Sequence, residues 1–251
     1  MKGLGLARRW LSAFIAPRQL LSLVYLPRYI QHWCIYQKRA QKKLIFGDSY
    51  PCLADWLPST PFDPHCFYQG AWLARCLAVT KPERHVDIGS SVLTVSVLSA
   101  HVPTVFVDYR PLKAGISNLQ SIAGNIVSLP FATASLQSLS SMHVLEHIGL
   151  GRYGDPLDPA GSLKAATEIT RVLAHNGKFY LTVPVGQARV CFNAHRVFAP
   201  EEILNMFAGL RLASFSWVDD AGRFHLAGKP RDAATAEYAC GLFEFVGNVN
   251  V

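Results

Sequence analysis

The nine residues His85-Val-Asp-Ile-Gly-Ser-Ser-Val-Leu read as a short apolar strand ending beside an acid, then a glycine turn, then a helix start two residues later. Parallel strands are joined by crossover connections of this strand–helix kind. From Arg84 onward the same alternation continues, and it predicts βαβ units and a mostly parallel sheet. Predicted strands are His85–Ile88, Thr104–Asp108, Leu119–Ala123, Leu136–Met142, Lys178–Pro184, Leu212–Val218 and Leu242–Val246. Predicted helices between them are Val92–Ala100, Ser162–Leu173 and Pro200–Phe207. Pro200 followed by Glu201 and Glu202 suits a first helical turn, because proline lacks the amide that goes unbonded there and acids favour the positive end. Asn176-Gly177 is expected to stop the preceding helix. The loops after the second and third strands are too short for crossover helices, so that edge of the sheet should be reduced.

The glycine turn also has chemistry. Gly89 permits close backbone approach, and helix-start N–H groups receive polar or anionic ligand atoms. Nineteen residues further on, Asp108 ends the second strand, where a carboxylate can accept from both hydroxyls of a ribose. The full dinucleotide fingerprint is absent, since Ser91 and Thr94 occupy the second and third glycine places. The turn and the acid at this spacing point instead to some adenosine-containing cofactor.

With these features the chain resembles the class I S-adenosylmethionine-dependent methyltransferases over about residues 83–185. The similarity runs through Asp87–Gly89, Asp108, Gly124-Asn125 before Leu129-Pro130-Phe131, the fourth strand into His143-Val-Leu-Glu-His, and Arg171-Val-Leu through Asn176-Gly177 to Pro184. Within the superfamily it is most similar to an uncharacterised methyltransferase-like family, a domain of unknown function. That likeness rests on His143–Pro156 and Arg189–Phe198 and extends to about residues 67–245. The resemblance implies an α/β, Rossmann-like sheet whose last strand is antiparallel. It implies S-adenosyl-L-methionine as cofactor, contacted by Asp87, Gly89 and Ser90, with Asp108 on the ribose and Asn125 and Ile126 on the adenine side. Two departures stand out: Ser91 and Leu93 replace later glycines, and Asn125 replaces the usual acid.

Methyl transfer to oxygen or nitrogen needs in-line placement and removal of a proton. Histidine, with an ordinary pKa of about 6.5, suits that role. The candidates are His143, Glu146, His147 and His195, with Arg152, Arg189 and Arg196 available to hold an acidic group on the acceptor. Each also has a plain structural reading. Glu146 and His147 would tie down the Gly149–Asp155 loop, and Asn193-Ala-His-Arg would form a hydrogen-bonding corner. His143-x-x-Glu146-His147 matches the inverted zinc-peptidase signature, but a strand precedes it and glycines follow, leaving no long helix to aim both imidazoles. No metal is therefore expected. The predicted activity is methyl transfer to a small-molecule or carbohydrate acceptor; the alternative is an inactive domain of the same fold serving as a binding or scaffold protein.

Charge bears on docking rather than on chemistry. The net charge is +7, but residues 1–43 hold nine of the 24 basic residues and no acid. The remaining 15 basic residues face 17 acidic ones, a net of −2, so nucleic acid is not a favoured partner. Residues 1–43 form a basic aromatic arm, residues 44–80 a connecting segment with a helix at Phe67–Val79, and residues 81–251 the methyltransferase-like domain. In the arm, Trp10, Leu11, Phe14 and Ile15 recur at helical spacing, as do Tyr29, Ile30, Trp33 and Tyr36, with Pro17 and Pro27 as breaks. Such a piece can lie on an anionic membrane, pack on a protein surface, or be a removable targeting segment. Its longest uncharged run, Gln19–Pro27, is far short of the ~20 residues that span a bilayer. Six cysteines with no C-x-x-C pair imply reduced, mostly buried thiols and a cytoplasmic protein.

Overall fold

The computed structural model describes residues 22–41 and 43–248. It divides into two compact units, Met1–Phe62 and Asp63–Val251. In the first, helix α1 spans Leu26–Ala40 with Pro27 in its opening turn, and none of its residues is buried. Arg28 lies over the rings of Tyr25 and Trp56, at 4.9 and 4.5 Å, and donates to the Leu53 carbonyl. Trp33 stands 6.2 Å from Tyr29 and 6.4 Å from Phe46. Trp10, Leu11, Phe14, Ile15 and Pro17 lie outside the described residues. Among the described residues, no helix is long and apolar enough to cross a membrane.

The second unit opens with α2 (Pro64–Thr80), capped by the Asp63 carboxylate accepting from the Cys66 amide at 2.8 Å. The strands that follow are β1 (His85–Ile88), β2 (Thr104–Asp108), β3 (Leu119–Ala123), β4 (Leu136–Met142), β5 (Leu173–Val185), β6 (Arg189–Cys191), β7 (His195–Val197), β8 (Leu210–Val218), β9 (Phe224–His225) and β10 (Ala239–Gly247). The helices between them are α3 (Val92–Leu98), α4 (Gly161–Val172) and α5 (Pro200–Met206). Eight strands form one sheet in the order β3-β2-β1-β4-β5-β10-β8-β9, and β6 pairs with β7 as a separate hairpin. β1 to β5 are mutually parallel, and the last strand, β10, is antiparallel to both β5 and β8. This is the predicted α/β sheet. The β3 edge is reduced as expected, since no helix joins β2 to β3 or β3 to β4.

Side chains alternate between the two faces of the strands, so each central strand supplies two cores. Phe179, Leu181 and Val183 of β5 join Phe243 and Phe245 of β10 on the face covered by α4 and α5. Tyr180 and Leu242 turn to the other face, with Trp72, Leu73 and Leu77 of α2. The helix-free loop after β3 is held from α4: the Leu129 amide donates to Glu168 at 2.7 Å, and Arg171 donates to the Phe131 carbonyl at 3.0 Å.

Two expectations are corrected. Asn176-Gly177 does not end α4. Leu173 turns to extended backbone immediately after Val172, and β5 starts there. The pair instead absorbs a register shift against β4, with Asn176 at φ 59° and no room for a Cβ on Gly177, 2.7 Å from the Leu136 carbonyl oxygen. The cysteines are all free, but only Cys240 is buried; Cys34, Cys52 and Cys66 are exposed, the first two lying in the small unit and the third in the first turn of α2.

Candidate active site

A cleft of about 220 Å³ opens at the carboxyl ends of β1, β2 and β4, the edge where α/β sheets present ligand-binding loops. Gly89, at φ 66°, follows β1 directly, and a Cβ placed there would sit 3.2 Å from Val144 and 3.7 Å from the Asp108 carboxylate. The cleft therefore narrows to a slot between the turn, the end of β2 and the start of the β4 loop. Asp108 ends β2 with one oxygen accepting from the Arg110 amide at 2.7 Å. Asn125 and Ile126 line the cleft from the loop after β3, and Asn125 accepts from the Val127 amide at 3.1 Å.

Asp87 and Ser90 do not line this cleft; they support its floor. Asp87 is fully buried and accepts from the Ser90 amide at 3.1 Å, the Ser90 hydroxyl at 2.8 Å, and the Ser140 hydroxyl. Burial pushes its carboxyl up to about 6, against the lowering effect of those three hydrogen bonds. Ser90 in turn accepts from the Met142 amide at 3.0 Å, tying the turn to β4. His85 completes the chain, with Nε2 2.9 Å from Ser140 and Nδ1 2.8 Å from Ser138. Burial pushes this imidazole down to about 3, so it is neutral at pH 7.

His143 and His147 line the cleft, Glu146 sits behind them, and His195 lies apart. His143 follows β4 in left-handed backbone at φ 55°. Both its nitrogens are engaged: Nδ1 is 2.7 Å from Glu146 and Nε2 is 3.3 Å from the Cys240 sulfur. Burial alone would lower this imidazole, but Cys240 and Glu146 outweigh it and hold it well above the ordinary range. His147 differs. Its Nδ1 lies 2.6 Å from the Ala194 carbonyl, which selects the tautomer that donates from Nδ1 and leaves Nε2 with a free lone pair. Burial lowers its pKa, partly opposed by Glu146, so His147 is neutral near pH 7.

The Asn193-Ala-His-Arg corner is what aims His147. It closes the β6–β7 hairpin, with Ala194 donating to Cys191 at 2.7 Å, and the Ala194 carbonyl also accepts from Arg152 at 2.9 Å. His195 stands 5.1 Å from the Tyr238 ring. Arg189 donates to the Gln187 carbonyl at 3.0 Å, and the largely buried Arg196 donates to the Ile148 carbonyl at 2.6 Å. None of these three lines the cleft. Tyr109, Arg110 and Tyr153 do, and sequence reasoning passed over them. Arg110 stacks over Tyr153 at 4.6 Å. Adjacency to Asp108 was the available signal for the first two; Tyr153 is brought in by the Gly149–Asp155 loop, which Asp155 pins by accepting from the Gly149 amide at 2.7 Å.

Comparisons with known proteins bear on the fold. The model of the DUF268 family, described as a Caenorhabditis protein of unknown function, matches residues 91–237. No curated protein matches the chain in sequence. Among solved structures, the YcgJ protein of Bacillus subtilis is 16% identical with a TM-score of 0.52, covering 73% of this chain and 100% of its own. The N-methyltransferase NodS of Bradyrhizobium japonicum, solved with S-adenosylhomocysteine, is 17% identical with a TM-score of 0.52, covering 74% and 88%. The 1,6-didemethyltoxoflavin-N1-methyltransferase of Burkholderia thailandensis is 11% identical with a TM-score of 0.54, covering 94% and 92%. These likenesses place the chain in the class I methyltransferase fold.

Proposed function

This chain belongs to the DUF268 family, and we propose that its cleft binds S-adenosylmethionine and supports methyl transfer to a small-molecule or carbohydrate acceptor. The observation that carries this reading is the cleft at the carboxyl ends of β1 and β2, narrowed to a slot where Gly89, at φ 66°, packs on Val144 and faces Asp108. A carboxylate at the end of β2 facing that slot suits a ribose diol, and the mostly apolar wall at Ile126 and Val127 suits a flat base. When bound, S-adenosylmethionine supplies an electrophilic methyl group on a sulfonium. Gly89 and Asp108 position it, and Asp87 and Ser90 hold the turn from beneath. Asn125 and Ile126 bound the adenine side. His147 takes the acceptor's proton at Nε2, with the Ala194 carbonyl holding Nδ1 and Glu146, 3.8 Å from Nε2, placed to stabilise the imidazolium that forms. His143 acts as a positioning residue, since both its nitrogens are already engaged. Arg152, which does not itself line the cleft but reaches within 3.5 Å of Nδ1 of His147, suits an acidic acceptor group.

Calorimetry of the purified protein with S-adenosylmethionine and S-adenosylhomocysteine tests the reading. Binding at micromolar to millimolar concentration is expected, with Asp108→Ala weakening it by about 10- to 100-fold through loss of a charged hydrogen-bond acceptor. Absence of binding at millimolar ligand would leave only the scaffold reading, which the replaced glycines at Ser91 and Leu93 favour. Equal binding by the variant would remove the ribose role from Asp108.

The arm supports a second proposal, attachment to anionic membrane surfaces. Leu23, Val24, Ile30 and Tyr36 are exposed on the same short segment as Arg28, Lys38 and Arg39, and a cationic helix with apolar and aromatic exposure binds such surfaces. The full chain should sediment with phosphatidylserine-containing vesicles and a form lacking residues 1–43 should not. Equal sedimentation of the two would exclude the arm as the attachment.

A further inference from the structure

Three potential metal donors from distant parts of the chain converge behind the point where His143 lines the cleft: His65 in the first turn of α2, His143 just after β4, and Cys240 at the start of β10. One donor atom from each lies within 4.8 Å of the other two, and the His143 Nε2–Cys240 Sγ separation is 3.3 Å. The rings of His65 and His143 are stacked, 5.6 Å apart and within 11° of parallel. We propose that His65, His143 and Cys240 form a transition-metal site of the zinc class.

Four features favour a metal. Two imidazoles and a thiol are a borderline-to-soft donor set, suited to Zn²⁺ or Co²⁺ and unsuited to Mg²⁺ or Ca²⁺, which take oxygen ligands. Glu146 holds Nδ1 of His143 at 2.7 Å, leaving Nε2 as the ligating atom, the carboxylate–histidine arrangement that orients imidazoles at metal centres. The other Glu146 oxygen is buried without a hydrogen-bond partner, a desolvated acceptor that a cation bound at His143 would help to compensate. The approach past His65 is a cavity whose rim carries Asp63, Asp219, Asp220 and Glu237, with Arg223 paired to Asp219 alone. That rim favours entry of a cation.

Thiol, imidazole and carboxylate in sequence could also constitute a nucleophilic triad. Cys240 has no exposed surface, however, so no substrate carbon can reach its sulfur. Tetrahedral coordination at 2.0–2.3 Å places donor atoms roughly 3.3–3.8 Å apart, so the site must close by about 1 Å. His65, partly exposed at a helix start and stacked on the rings of His143 and Tyr238, is the ligand that must make that movement. Three protein ligands leave one position for water or an added ligand. The histidine that the H-x-x-E-H pattern would have enlisted, His147, faces the Ala194 carbonyl instead.

The test is titration of the chelator-treated full chain with Co²⁺ alone, followed by competition with Zn²⁺. One equivalent should produce a thiolate-to-cobalt charge-transfer band in the near ultraviolet and ligand-field bands in the visible, both bleached by Zn²⁺. Cys240→Ser should abolish the charge-transfer band, and a Cys34→Ser/Cys52→Ser variant should retain it. Loss of an outer carboxylate typically weakens metal sites 10- to 100-fold, so His65→Gln, which removes a ligand, should weaken binding by at least about 100-fold. His65→Gln also carries the test should Cys240→Ser fail to fold. No band at one equivalent, a band that survives Cys240→Ser, or unchanged affinity in His65→Gln would each overturn the assignment. The site does not depend on the cofactor reading: a chain that fails to bind S-adenosylhomocysteine yet gives the band retains it.

Discussion

Gly89→Val should abolish measurable binding of S-adenosylhomocysteine, weakening it by at least about 100-fold, equivalent to about 2.8 kcal/mol. The residue sits at φ 66°, where an L side chain is strained, and its Cβ alone would come 3.2 and 3.3 Å from the Val144 methyls and 3.7 Å from the Asp108 carboxylate. Valine adds two further methyls at a point on the cleft lining where the Cβ already meets Val144 and Asp108. The strain itself costs on the order of 1–3 kcal/mol, so the variant should unfold at lower temperature than the wild type while remaining folded at 20 °C. Calorimetry on the folded variant separates the two effects. Retained affinity would show that no ligand edge uses the slot, and the proposed cofactor pose would have to be abandoned.

His85→Gln should make the protein less sensitive to mild acid than the wild type. The folded-state pKa of His85 is pushed down to about 3, so between there and 6.5 the unfolded chain binds a proton that the folded chain does not. That contribution makes stability fall as pH falls. Asp87 works the other way. Its folded carboxyl is pushed up to about 6 from 3.8, so between those values the folded chain holds the extra proton and stability rises as pH falls. From pH 6 to 4 the two nearly cancel in the wild type. Glutamine does not titrate, so of these two contributions only that of Asp87 remains. The variant should gain stability relative to the wild type by about 1.4 kcal/mol per pH unit, or about 2.7 kcal/mol from pH 6 to 4. Urea unfolding at pH 4, 5 and 6 measures this, and parallel curves for the two proteins would refute the account. Glutamine keeps one donor and one acceptor towards Ser138 and Ser140, which limits the cost of substitution at pH 7.

The same buried chain shows why the placement of some residues at the cleft was legible in the sequence and that of others was not. Asp87 and Ser90 occupy turn positions that the family resemblance marks as cofactor contacts, but at this turn their polar atoms are engaged by Ser140 and Met142 of the neighbouring strand. Sequence spacing cannot reveal that, because the pairing of β1 with β4 brings together residues more than fifty positions apart. Gly89 and Asp108 were readable because each terminates its strand and is delivered to the cleft by local geometry alone. Likewise, the Asn176-Gly177 pair was recognisable as a break. Only the register of β5 against β4 shows that it interrupts a strand rather than ending a helix.

The one-dimensional order of apolar runs, turns and helix starts determined the α/β architecture, the reduced β3 edge, and the concentration of positive charge in residues 1–43. Those features follow from periodicity and local turn chemistry, which act over a few residues. Tertiary structure alone decided which histidine keeps a free lone pair, because that depends on the Ala194 carbonyl reaching His147 from 47 residues away. It also decided that His143 faces Cys240 across 97 residues of chain. Hydrogen-bond direction and donor convergence are set by strand order and register, so the chemistry of these groups appears only once the sheet is assembled.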